Sequence, residues 1–231
     1  EAFDPSGRFN PGKVLPEPAA LATAPVAETP DTLRALSTLL AEASAGEQRV
    51  VLRGHSTKAP APPEGAVVCS LSGLDRVLHF DHENLTVVAQ AGITFPALDA
   101  VLAAHGQMLP LRPRFRETAT LGGALATNDS GPCRLRYGGP RDLVTGVRAV
   151  LPDGAVVTFG SACVKNVAGY ALEKLLLGSR GTLAALAEVT LRTLPRPEAA
   201  RTLVLTVATP AALEAFLADL LASPLQPAAV E

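Results

Sequence analysis

The chain has 231 residues, 48% of them apolar, with a formal net charge of −2. That length buries a sizeable core, in one large domain or two small ones, and near-neutrality argues against a general nucleic-acid or membrane-surface role. No apolar run reaches bilayer length, no basic-then-apolar leader opens the chain, and Cys69, Cys133 and Cys163 have neither zinc-ligand spacing nor the density of a disulfide scaffold, so a cytoplasmic setting fits.

Residues 1–16 carry the turn signals Pro5-Ser6-Gly7 and Asn10-Pro11-Gly12, and 17–30 are rich in Pro, Ala and Thr. Together they read as a tail-like segment and linker. Folded structure is expected from residue 31. Thr29 and Pro30 suit the start of a helix, Leu33, Leu36, Leu40 and Ala43 give it one apolar stripe, and Gly46 ends it. A short strand over 49–53 then runs into Gly54, His55, Ser56, Thr57 and Lys58. A strand feeding a loop of Gly, Ser, Thr and Lys is a candidate phosphate cradle. It is not a Walker A loop, and no GxGxxG opens a helix, so a Rossmann site has no support.

Strands are expected over 67–71, 77–80 and 85–90, with a hairpin turn at 81–84. Thr94 caps a second helix, with Phe95, Leu98, Val101 and Leu102 inward and Gly106 as its stop. Arg112, Arg114, Arg116, Arg134, Arg136 and Arg141 cluster around the stretch TLGGALATNDSGPCRLRY at 120–137. Its small residues, polar side chains and arginines describe a glycine-rich loop able to cradle an anion such as a diphosphate. The same composition also suits a tight packing turn.

A hairpin over 143–151 and 155–159 turns at Pro152-Asp153-Gly154, a short helical pattern covers 164–177, and Gly178-Ser-Arg-Gly181 precedes a long strand over 183–194. A further strand over 201–207 and an amphipathic helix with the stripe Leu213, Phe216, Leu217 and Leu220 make an incomplete unit. His79, His82 and His105 are dispersed, so no metal site is expected.

Several segments together resemble the FAD-binding domain of the vanillyl-alcohol oxidase/PCMH flavoprotein family. The run 120–131, Arg136-Tyr137-Gly138 with Arg141-Asp142, Lys165-Asn166 to Gly169-Tyr170, the 178–183 turn, and Glu188-Val189 with the strand that follows occur in the family's order. Each alone is weak, and their succession is specific. Within the family the Lys165–Tyr170 string looks most like the smaller FAD-binding subunit of bacterial glycolate oxidase. Residues 1–16 instead resemble the C-terminal tail of the larger FAD-linked subunit of that enzyme, which suggests a fusion or a chain crossing the junction of two subunits.

The resemblance implies an α+β fold: a two-subdomain PCMH-type FAD-binding domain over 31–198, with subdomains at about 31–110 and 111–198 and FAD between them. Residues 199–231 would begin a truncated cap domain. Carried over residue by residue, Arg53, Gly54, His55, Ser56, Thr57 and Lys58 would wrap the diphosphate. Thr120, Gly122 and Gly123 would hold its ribityl side, with Thr127, Asn128 and Gly131 continuing that wall. Gly181, Glu188 and Val189 would line the adenosine end, and Pro110 would lie near the flavin ring. The family's first loop usually has glycines where His55 and Ser56 stand, and if those positions need positive φ a side chain costs energy there.

The implied function is an FAD-dependent oxidoreductase subunit acting on the CH–OH group of a small 2-hydroxy acid, most of all glycolate, and not active alone. The implied partners are a larger FAD-linked subunit and an iron–sulfur subunit, with any membrane association coming through them. No residue is assigned as catalytic base. The alternatives are a catalytically inactive assembly subunit and a D-lactate dehydrogenase-like flavoprotein.

Overall fold

A computed structural model describes residues 27–58, 61–160 and 171–230. The expected tail at 1–16, most of the linker, Cys163 and the 165–170 motif with Tyr170 lie outside the described residues. Strand β1 (Ala27–Glu28) leads into α1 (Leu33–Ala45), β2 (Val50–Arg53) and β3 (Val67–Ser70). The hairpin β4 (Val77–Asp81) and β5 (Thr86–Gln90) is followed by α2 (Phe95–Ala103) and β6 (Gln107–Met108). Three short helices come next: α3 (Leu121–Ala126), α4 (Arg134–Tyr137) and α5 (Pro140–Leu143). Then come the hairpin β7 (Val144–Val150) and β8 (Val156–Gly160), α6 (Leu172–Leu176), β9 (Ala185–Arg192), β10 (Leu194–Pro195) and α7 (Pro210–Ala222).

Two main sheets result. A parallel sheet runs β1-β3-β2, and an antiparallel sheet runs β4-β5-β9-β7-β8. Strand β9 lies at the centre of the larger sheet, paired with β5 on one side and β7 on the other. From Ala187 onward it alternates, with Ala187, Val189 and Leu191 buried on one face and Glu188, Thr190 and Arg192 on the other. The division between sheets falls between β3 and β4. It does not coincide with the expected subdomain boundary near residue 110, because β4 and β5 hydrogen-bond into the sheet of β7–β9. Strand β1 is also new: two residues read as linker form the parallel edge of the smaller sheet.

Helix α1 begins one turn later than expected. Thr32 rather than Thr29 is the N-cap, its hydroxyl oxygen accepting from the Ala35 amide at 3.2 Å, and Gly46 ends the helix as read. Leu36, Leu40 and Ala43 bury their side chains in one cluster with Leu52 and Cys69 of the smaller sheet, Leu74 just beyond it, and Val150, Ala185 and Ala187 of the larger sheet. One helix therefore bonds the two sheets, and each fully buried leucine contributes about 2–3 kcal/mol. Helix α2 is capped by Thr94 as expected and buries Phe95, Leu98 and Leu102. Val101 is 37% exposed instead, because it sits off the stripe set by those three.

The stretch at 120–137 is not one loop: it forms the helices α3 and α4 joined by residues 127–133, with Gly122 and Gly123 inside the first helix. No strand forms over 201–207. Leu203 and Val204 are 85% and 89% exposed, and no described strand pairs with the segment, so its alternating pattern finds no sheet to join. Helix α7 forms under a Thr209 cap as read, yet none of its residues is buried.

Candidate functional site

The smaller sheet, helix α3 and the turn after α6 meet at one open cleft with a cavity volume of about 90 Å³. Residues 53–58 leave the end of β2 and form one wall. Thr120, Gly122, Gly123 and Thr127 form the second, and Arg180 and Gly181 the third. Leu52, Leu71, Ala184 and Leu186 provide an apolar floor.

Close approach explains the glycines. A Cβ on Gly54 would stand 2.1 Å from the Thr120 hydroxyl oxygen, so only glycine lets the first wall touch the second. A Cβ on Gly122 would lie 2.7 Å from that of Ala91, where α3 is drawn onto the larger sheet by the Gly122 amide donating to the Ala91 carbonyl at 2.6 Å. Thr120 caps α3, its hydroxyl oxygen accepting from the Gly123 amide at 3.3 Å. The walls are also cross-linked. His55 Nδ1 pairs with the Thr118 carbonyl at 3.0 Å, and Lys58 forms an ion pair with Asp129 that is mostly shielded from solvent.

The donor set has a clear character. The backbone amides of Gly54, His55, Ser56 and Thr57 donate to no other described residue. Arg53, Lys58 and Arg180 line the cleft, and no Asp or Glu is found among the described residues that do. Burial draws the Arg53 guanidinium below its usual range, yet it remains a cation at neutral pH. Unspent amides, cations and an absence of lining carboxylates favour an anion.

Ser56 has φ of 57, whereas His55 is absent from the positive-φ residues. Only the serine, then, carries the backbone cost foreseen for this loop. Of the other expected site residues, Asn128 is exposed at φ 53, Gly131 packs on the Arg112 carbonyl, and Pro110 is buried, all away from the cleft lining. Val189 is fully buried in the larger core, and Glu188 reaches Arg148 at 3.5 Å. The arginine cluster does not converge on the cleft either. Arg116 is spent on Asp99 at 2.5 Å and the Phe95 ring at 5.3 Å, and Arg136 on the Gln226 carbonyl at 2.8 Å. His82 and His105, distant in sequence, bring their rings within 4.7 Å, yet no group of three or more metal-ligating side chains is found among the described residues. Ala119, Ala124, Leu186 and Arg180 were not foreseen as lining. Small residues beside the glycines are the one signal that could have marked the alanines.

A family model described as "FAD binding domain" matches residues 24–160. The chain belongs to the PCMH-type FAD-binding family. Among curated relatives, glycolate oxidase subunit GlcD of Bacillus subtilis is 31% identical over 85% of this chain and 42% of its own. The D-lactate dehydrogenase of Archaeoglobus fulgidus is 35% identical over 85% of this chain and 45% of its own. Glycolate oxidase subunit GlcE of Escherichia coli is 39% identical over 55% of this chain and 37% of its own. A solved structure of alkyldihydroxyacetonephosphate synthase superposes with a TM-score of 0.66 at 27% identity, covering 75% of this chain and 32% of that one. The chain thus spans less than half the length of each relative.

FAD is the cofactor of this PCMH-type family, and the cleft fits it. A dinucleotide diphosphate needs several amide donors with no carboxylate beside them, and a backbone free to approach closely. The first wall offers four such amides, and Gly54 leaves no room for a side chain. No helix among the described residues is long and apolar enough to cross a membrane.

Proposed function

We propose that this chain is the FAD-binding part of an oxidoreductase that converts a small 2-hydroxy acid to the 2-oxo acid, with glycolate as the leading substrate. The observation that carries the reading is the row of amides at 54–57 that donate to no described residue, in a cleft with no carboxylate among its described lining residues. Bound there, FAD supplies two-electron redox chemistry that no side chain of the chain supplies. The chain's own residues do the holding. The amides at 54–57 and the Thr120 wall bind the diphosphate, and the floor of Leu52, Leu71, Ala184 and Leu186 excludes water. Pro110, Asn128, Gly131, Glu188 and Val189 lie outside the described lining of this cleft.

Similarity to the glycolate oxidase subunits GlcD and GlcE supports a hetero-oligomeric setting, and the partners we propose are a larger FAD-linked subunit and an iron–sulfur subunit that receives the electrons. The substrate contacts come from residues beyond this cleft, in line with 199–231 as the opening of a cap domain. D-lactate is the alternative substrate, favoured by the 35% identity to a D-lactate dehydrogenase. A second reading, an assembly subunit without catalysis, is favoured by the side chain at the left-handed Ser56.

The test is anaerobic reduction of the FAD-loaded protein, alone and with its partner subunits, by glycolate and by D-lactate. Bleaching of the flavin by one acid supports the oxidoreductase and names the substrate. A loaded complex that neither acid bleaches overturns the redox reading. A protein that stays colourless with added FAD leaves the assembly role.

A further inference from the structure

Away from the cleft, the fold brings two histidines together. His82 opens the turn between β4 and β5, and His105 lies in the turn after α2. Their ring centres are 4.7 Å apart, with 45° between the planes, and both residues are exposed. The Phe80 ring stands edge-on to each, 6.3 Å from His82 and 5.3 Å from His105. No described residue hydrogen-bonds to either imidazole. His79 is one residue out of phase with Phe80 and His82, so it belongs to the other face of β4. The backbones that carry the pair are anchored. The buried Gln107 side chain donates to the His82 carbonyl at 2.7 Å and accepts from the fully buried Thr193 hydroxyl at 2.5 Å. The His105 amide donates to the Leu102 carbonyl at 3.1 Å, and the Gly106 carbonyl accepts from the Arg196 amide at 2.8 Å.

That spacing matches what a shared metal ion requires. A neutral imidazole binds a divalent transition metal through one ring nitrogen at about 2.0–2.1 Å, which sets the ring centre about 3.2 Å from the ion. Two such rings in adjacent positions, about 90–110° apart at the ion, have centres about 4.5–5.2 Å apart. The observed 4.7 Å lies inside that span. An anchored pair loses little freedom on binding, and its second imidazole meets the ion at high effective concentration. We propose that His82 and His105 form a two-imidazole site for a divalent transition-metal ion of the nickel, copper and zinc group, with copper(II) held most tightly. Asp81, adjacent to His82 in sequence, spends its two oxygens on the Asn84 amide at 3.0 Å and the Asn84 side chain at 2.8 Å, and adds negative charge beside the pair. No third His, Cys, Asp or Glu joins the two among the described residues, so water completes the coordination and leaves the ion open to a further ligand. Neither histidine lines the cleft, so the site is independent of the FAD reading.

The test titrates metal-free wild type with Cu²⁺, Ni²⁺ and Zn²⁺ by calorimetry, beside His82→Ala, His105→Ala and His79→Ala. Wild type should bind one equivalent of each ion, and excess Mg²⁺, which prefers oxygen ligands, should not displace it. His82→Ala and His105→Ala should each raise the Kd about tenfold or more, because a lone imidazole forfeits chelation. His79→Ala should leave the Kd unchanged. Diethyl pyrocarbonate labelling of wild type reads the same pairing without a substitution. Zn²⁺ should protect His82 and His105 together and leave His79 reactive. Absence of binding, an affinity that survives substitution of either histidine, or protection of one without the other would overturn the site.

Discussion

Ser56 holds a left-handed backbone without being glycine, and nothing about its side chain repays the cost within the described fold. Ser56→Gly is therefore expected to stabilise the protein by about 1 kcal/mol. A higher urea midpoint with an unchanged slope would show it, and a lower midpoint would contradict it. Cys69 makes a second residue-scale prediction. Burial first, and the Glu28 carboxylate second, push its thiol up to about 12 from an ordinary 9.0. The folded state keeps a proton that the unfolded chain releases. This group therefore leaves stability intact below pH 9.0 and lowers it as pH rises toward about 12. Unfolding free energy measured across that window should fall more steeply for wild type than for Cys69→Ala, and equal slopes would refute the assignment. Cys133 is only half-buried, so iodoacetamide should label it in the native state and spare Cys69.

At the scale of elements, the site depends on the first loop touching α3. A methyl at Gly54 would collide with the Thr120 side chain, so Gly54→Ala should cost about 1–3 kcal/mol, and Thr120→Ala in the same chain should recover part of it. Additive losses would mean that the two walls do not meet there. This contact shows where sequence was informative. Gly54, Gly122 and Thr120 were legible because a glycine or a cap residue has few physical reasons to stand beside a strand end or a helix start. The α1 stripe and the β7–β8 turn were legible for the same reason, since periodicity and Pro-Asp-Gly chemistry are local. The identity of Gly122 and Gly123 as helical residues was not, because glycine disfavours helix locally and only the larger sheet, approached at Ala91, reverses that preference. Nor was the scatter of the arginines. Clustering in sequence says nothing of direction, and Asp99, Phe95 and Gln226 draw two of them away.

For the molecule as a whole, α2 packs in one core cluster and α1 in a second that also takes residues of the larger sheet, and α7 adds no buried residue to either. Removal of residues 201–231 should change the melting temperature by no more than about 2–4 °C, the scale of a surface change in a domain of this size. Loss of cooperative unfolding in the shortened chain would show that the core extends into that segment. The placement of β4 and β5 in the larger sheet belongs to this scale as well. Strand pairing over a hundred residues leaves no mark on local pattern, so the division between sheets could be found only in three dimensions. In the proposed function two turns and the start of α3, from distant parts of the chain, close on one dinucleotide. Amide hydrogen exchange with and without FAD reads that directly: FAD should slow exchange at 54–57 and at 178–181 together, and an unchanged pattern at those turns in a protein saturated with FAD would contradict it.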